Sequence, residues 1–94
     1  MSVLHVVLVR WREGAPGALT PLVDAMSGIP GVQDIAYGTS ISPENLEAGY
    51  EWMLAVTFVS TDARDEYLVH PLHLPVAALI GDEAEKVVVF DLPR

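Results

Sequence analysis

Two stretches of the chain alternate apolar side chains between two faces with a period of two, the pattern of a β-strand. In the first, Val3 to Trp11, one face carries Val3, His5, Val7, Val9 and Trp11, and the other carries Leu4, Val6, Leu8 and Arg10. In the second, Tyr50 to Ser60, Tyr50, Trp52, Leu54, Val56 and Phe58 oppose Met53, Ala55, Thr57 and Val59. Val32 to Ser40 forms a weaker strand in which Gly38 predicts a bulge or a close approach. The apolar run Val87-Val88-Val89-Phe90 places a last strand over Lys86 to Leu92. Three of the four strands are apolar on both faces, so both faces should be covered.

Between the strands the period lengthens to that of a helix. Leu19, Leu22, Val23, Met26 and Ile29 recur at helical spacing. Pro21 lies in the first turn or starts a shortened helix behind Thr20 as cap, and Gly28 and Pro30 end it. Ser60 or Thr61 caps a helix from Asp62 to about Val69, with an acidic start that suits the helix dipole. Pro71 disfavours helical geometry at His70 and separates off a further helix, Leu72 to about Ile80, which Gly81 should terminate. The order β-α-β-β-α-β, with its second helix in two pieces, predicts an α+β fold of the ferredoxin-like type. Its four-stranded antiparallel sheet carries helices on one face only. Strands that are apolar on both sides then predict a homodimer in which two sheets pack face to face.

Composition sharpens this picture. Ninety-four residues make a single domain, 1–94, and size scaling gives it a folded surface of roughly 5,300 Å². Yet 51% of residues are apolar and only 19% charged, with a mean hydropathy of +0.35. So small an interior cannot hide them all, which again calls for burial against a partner or a ligand. The net charge of −8 argues against nucleic acid and anionic membrane surfaces as partners, since both are bound by clustered Lys and Arg. The absence of cysteine excludes disulfides, thiolate metal sites and thiol nucleophiles. With no long apolar run and no secretory signal pattern, the expectation is a soluble cytoplasmic protein.

The candidate chemistry lies in three histidines and a tyrosine. His5 stands among valines, and a buried imidazole there needs a partner. The plain reading is a core histidine bonded to a backbone carbonyl. His70 and His73 are three residues apart, but Pro71 interrupts the helix between them and no carboxylate or cysteine completes a ligand set, so no metal site is assigned. Tyr67 and His73 flank the break. A phenol bonded to the imidazole would fix its tautomer and leave the other nitrogen free as acid or base; the alternative is a packed contact that locks the turn. Trp52 and Phe58 read as core, and Trp11, between Arg10 and Arg12, as an interface edge. No nucleophile elbow, phosphate loop or dinucleotide fingerprint is present.

Taken together, His5, Ile29-Pro30-Gly31-Val32, Tyr37-Gly38, Ser42-Pro43-Glu44, Gly49-Tyr50, Tyr67-x-x-His70-Pro71-x-His73 and the closing Val-Val-Phe-Asp at Asp91 follow one pattern. The chain resembles the stress-responsive A/B barrel domain (Dabb) family over essentially its whole length. The resemblance implies a dimeric α+β barrel of two ferredoxin-like protomers. The family's best-defined enzymatic branch is a plant polyketide cyclase that works by intramolecular aldol condensation, without a metal or organic cofactor. Carried over, His73 matches its acid/base histidine, Tyr67 the tyrosine bonded to it, and His5 a third residue lining the pocket. Val7, Leu22, Trp52 and Leu54 would hold the carbon skeleton of a small hydrophobic metabolite, with His70 beside them. Leu22 and Trp52 depart from the branch, which has a tyrosine and a histidine there, so a different substrate is expected. The alternatives are a non-catalytic stress-associated dimer and a small-molecule-binding protein.

Overall fold

The strand Val3–Trp11 (β1) buries alternate residues along its whole length and occupies the interior of the sheet. In the computed structural model, which describes Met1–Arg94, it is followed by α1 (Leu19–Ala25) with a single 3-10 turn (Met26–Gly28), β2 (Val32–Thr39) and β3 (Trp52–Phe58). The helices α2 (Thr61–Leu68) and α3 (Leu74–Glu83) and the strand β4 (Ala84–Pro93) complete the chain. The strand order is β2-β3-β1-β4, antiparallel throughout, which is the ferredoxin-like arrangement.

Register assigns the faces. His5 lies opposite Val56 on β3 and Asp91 on β4; Val7 lies opposite Leu54 and Val89. These odd-numbered β1 positions face the helices, which bring Leu19, Val23, Met26, Ala63, Tyr67, Val76 and Ile80 onto them to form one core. Pairs of buried residues four apart, Ala63 and Tyr67 on α2 and Val76 and Ile80 on α3, give each helix one inward stripe. The opposite face of the sheet has no covering element: Phe90, Leu92 and Met53 stay exposed there. The surface, 5623 Å², is close to the size expectation; its apolar character is what is unusual, with 18 of 94 residues buried.

Several boundaries differ from those read in the sequence. Pro21 sits in the first turn of α1, and Ala18, not Thr20, precedes the helix. The irregularity in β2 falls between Val32 and Asp34 and not at Gly38. β3 starts at Trp52 because Tyr50 is drawn into a turn by its amide bond to the Glu47 carbonyl, 3.0 Å. α3 runs through Gly81 to Glu83: Ala84 is buried and pairs at once with Trp11, so the strand pairing sets the end of the helix. Trp11, read as an interface edge, is 4% exposed and packs on Trp52 with ring centroids 5.7 Å apart. The helices also stop short of β4, leaving Val87 and Val89 exposed on the helix side.

Gly31 marks the tightest approach. Its φ of +86° is left-handed, its carbonyl accepts the Val59 amide at 3.0 Å, and a Cβ there would lie 2.5 Å from that of Ala63. Ser60 caps α2 by accepting the Ala63 amide on its hydroxyl, 3.1 Å, so one end of the helix is held against the β2 entrance.

Candidate functional site

His5 is 4% exposed, and its neighbour across the β1–β4 ladder is Asp91. The two meet through Nδ1 and Oδ1 at 2.6 Å, so the ring's Nδ1–H donates to a carboxylate and not to the backbone carbonyl expected from the sequence. The other oxygen of Asp91 accepts from Nη1 of Arg64 on α2 at 2.9 Å, while Arg64 also donates to Asp65. The chain Arg64–Asp91–His5 thus ties α2 to β4 and fixes the imidazole. Its ring packs edge-on to Tyr67, with centroids 5.8 Å apart, and Tyr67 packs on Phe58 at 4.8 Å.

His73 is placed by the break that Pro71 imposes. After α2, the His70 amide bonds back to the Tyr67 carbonyl at 3.0 Å, and the His73 amide to the His70 carbonyl at 2.9 Å. This folded turn points the His73 ring back along α2, where its Nδ1–H donates to the Leu68 carbonyl at 3.1 Å. A carbonyl oxygen only accepts, so the proton is on Nδ1 and Nε2 carries the free lone pair. The expected hydrogen bond from the Tyr67 hydroxyl is not what orients the ring. Tyr67 and His73 are stacked at a tilt of 41°, with centroids 4.3 Å apart, and the backbone sets the tautomer. Burial of Tyr67 raises its phenol well above the usual range, which keeps it a neutral hydroxyl.

Burial lowers the His73 pKa; the bond to Leu68 opposes this, and the nearby charge of His5 adds to it. A histidine whose pKa falls on folding binds fewer protons in the native state than in the unfolded one. It therefore supports the fold above about pH 6.5 and withdraws that support as the pH falls toward its native midpoint. An NMR titration should place the His73 midpoint below about 6.5. His5→Phe should move it partway back up, and a midpoint at or above the ordinary value would contradict this environment.

The remaining candidates are dispersed. Val7 and its cross-strand partner Leu54 sit in the core two positions along the sheet from His5. Trp52 is four residues from Val56, about 13 Å along the strand, and joins Trp11 and Tyr37 in a separate aromatic cluster. Leu22 packs on the core from α1. His70 is committed to the turn, its Nδ1 accepting the Leu72 amide at 3.0 Å. The three histidines do not form a group able to hold a metal ion. The largest cavity, about 520 Å³, lies beneath residues 40–51 and reaches the free sheet face at Leu8, Gly38 and Met53, away from the histidines. Arg64 and the Leu68 carbonyl were not singled out in the sequence, and Asp91 entered only as the close of the family pattern, with no role at the site. The signal for Asp91 was an acid closing an apolar strand that pairs with the strand of His5.

The fold and this interior define a ferredoxin-like protomer with a histidine–tyrosine cluster between sheet and helices. The profile of the Stress Responsive A/B Barrel Domain (Dabb) family matches residues 3–93, and the chain belongs to that family. It is 31% identical over 94 residues to the stress-response A/B barrel domain-containing protein HS1 of Arabidopsis thaliana, covering 95% of this chain and 86% of that one. It is 26% identical over 96 residues to olivetolic acid cyclase of Cannabis sativa, covering 97% and 95%. Among solved structures, a dimeric ferredoxin-like protein of unknown function from Jannaschia sp. CCS1 superposes with a TM-score of 0.81 at 22% identity, covering 100% of both chains. The hydroxynitrile lyase of Passiflora edulis does so with 0.77 at 22%, covering 97% and 91%. No helix is long and apolar enough to cross a membrane.

Proposed function

We propose that the chain is a homodimer, joined through the free face of its sheet, that transfers protons on a small carbonyl metabolite. The observation that carries the catalytic reading is the His73 ring: Nδ1 is committed to the Leu68 carbonyl, leaving Nε2 as a half-buried base beside Tyr67 and near His5. Nε2 would take a proton from the carbon between two carbonyls. The enolate then attacks a second carbonyl carbon, forming the C–C bond, and the imidazolium returns its proton to the resulting alkoxide. The neutral Tyr67 hydroxyl would donate to the oxygen on which charge develops, and His5, held by Asp91, would orient the other end of the substrate. The cyclase and lyase relatives support this chemical class by their names. The dimeric relative and the apolar free face support the assembly.

A second reading, a non-catalytic stress-associated dimer, is favoured by one observation: His5 and Tyr67 are 4% and 1% exposed, so side chains fill the space a long polyketide would need. The substrate of the catalytic reading is accordingly small and is met at His73. Wild type and His73→Phe are to be compared on short linear tri- and tetraketides and on cyanohydrins, with product formation followed by NMR. The catalytic reading expects turnover by wild type and a loss of at least about 100-fold in the variant. Equal rates remove His73 from the chemistry, and no turnover on any of these leaves the non-catalytic dimer.

A further inference from the structure

The stretch from α2 to α3 is fastened to the rest of the molecule at its two ends and only lightly between them. At one end Ser60 caps α2 and Ala63 lies against Gly31. At the other, α3 buries Val76 and Ile80 and runs straight into β4. Residues 64–73, between these anchors, are bonded mainly to one another. The His70 amide donates to the Tyr67 carbonyl, the His73 amide to the His70 carbonyl, and Nδ1 of His73 to the Leu68 carbonyl. One hydrogen bond crosses from the segment to the sheet: Nη1 of Arg64 donates to Oδ2 of Asp91 at 2.9 Å. The histidine–tyrosine site is divided along the same line. Tyr67 and His73 belong to the segment, stacked on each other, while His5 and Asp91 belong to β1 and β4.

We propose that residues 64–73 are a lid over this site and that Arg64 is its latch. Opening carries Tyr67 and His73 away from His5 and admits the substrate; closing sets the three rings together again. Arg64 is thus a positioning residue, acting on His5 through Asp91 and on His73 through the helix that it holds. What the lid serves rests on the catalytic reading above; that it opens does not.

A lid is needed because His5 and Tyr67 are both buried and the largest cavity lies elsewhere. The segment is also where opening costs least. α2 has eight residues, too few to persist on its own backbone bonds, and it buries only Ala63 and Tyr67. Leu68, Val69 and Leu72 are exposed already, so the Tyr67 ring is the main apolar surface that opening uncovers. Pro75, in the first turn of α3, has no amide to bond back into the segment. The charges also separate without being stranded: Arg64 keeps Asp65, and Asp91 keeps His5. The pair lies at the rim, its side chains 25% and 27% exposed, where water takes over the broken bond.

Native-state amide exchange, followed by NMR in low urea, reads such an opening residue by residue. In wild type the amides of Leu68, His70 and His73 should exchange at least about tenfold faster than those of Val7 and Leu54, and with a weaker urea dependence, since little surface is exposed. Val9→Ala, a core change outside the lid, should speed the sheet amides about tenfold or more and leave the lid amides as they were. Arg64→Met removes the latch and should speed the lid amides about tenfold, the scale of one charge-assisted bond discounted for its exposure. Arg64→Lys, which keeps the charge, should return most of the protection. Asp91→Asn keeps the acceptors but loses the charge, and should loosen the same amides by a smaller factor. Lid amides that exchange no faster than those of the sheet, or that follow Val9→Ala, mark a segment that opens only with the whole fold and overturn the lid. Lid amides unmoved by Arg64→Met, or left unprotected in Arg64→Lys, overturn Arg64 as its latch. A wild type that opens in this way but converts no ketide or cyanohydrin leaves the lid standing and ends the catalytic reading.

Discussion

Gly31→Ala is expected to destabilise the protomer by about 2–5 kcal/mol, a large share of the 5–15 kcal/mol that holds a domain of this kind together. Two costs add. A residue with a Cβ at a φ of +86° gives up about 1–2 kcal/mol in the left-handed region. The new methyl would also stand 2.5 Å from the Ala63 Cβ, and forcing that overlap costs about 1–3 kcal/mol. Ala63 cannot retreat easily, since its amide is the one capped by Ser60 and its side chain is buried in the core. Urea denaturation measures the loss, and for a domain of this size the midpoint of a thermal melt should drop by about 4–8 °C per kcal/mol. The double variant Gly31→Ala, Ala63→Gly removes the overlap but keeps the backbone cost and adds a glycine to α2, so it separates the two contributions. A loss below about 1 kcal/mol in the single variant would mean that α2 does not approach β2 as described.

The same glycine shows what a sequence conveys and what it does not. The strands and helices were legible because burial of one face imposes periods of two and of 3.6, and β1 and β3 carry those periods without interruption. The fold class followed from their order. Ends were legible only where a local device sets them, as Ser60 does for α2. Where strand pairing decides, as at Gly81 and Ala84, local propensity pointed to the wrong residue. Gly31 could be seen as turn chemistry after Pro30, but its contact with Ala63, 32 positions on, belongs to the tertiary structure. The site divides in the same way. Tyr67, His70 and His73 announce themselves by type and by the proline between them. The bond that orients His73 comes from the Leu68 backbone, which no side-chain pattern reports, and the partner of His5 lies 86 positions away. Trp52 matched a pocket position of the cyclase branch in the sequence, but its alternation with Leu54 and Phe58 also marks core. The structure puts it in a second aromatic cluster with Trp11 and Tyr37, at the opposite end of β3 from the histidines.

Asp91→Ala is expected to cost about 2–3 kcal/mol, chiefly because it leaves the Nδ1–H of His5 buried with no acceptor. At 4% exposure the imidazole cannot recover that bond from water without opening the β1–β4 ladder. Arg64 loses one of its two acidic partners but keeps Asp65, so its share of the cost is small. Asp91→Asn retains an acceptor at the same place and should lose only about half as much. The attribution is tested with His5→Phe, which deletes the group that needs the acceptor. In that background Asp91→Ala should cost at least about 1 kcal/mol less than in wild type, a coupling typical of residues in direct contact. Equal costs in both backgrounds would place the effect of Asp91 in its bond to Arg64 and in the β4 edge itself. Under the catalytic reading the same substitution frees the His5 ring to turn, so Asp91→Ala should also lower turnover in protein that remains folded, whereas His70→Ala, which disturbs only a turn amide, should not. This pairing distinguishes a histidine held in place for chemistry from one that is merely accommodated in a core.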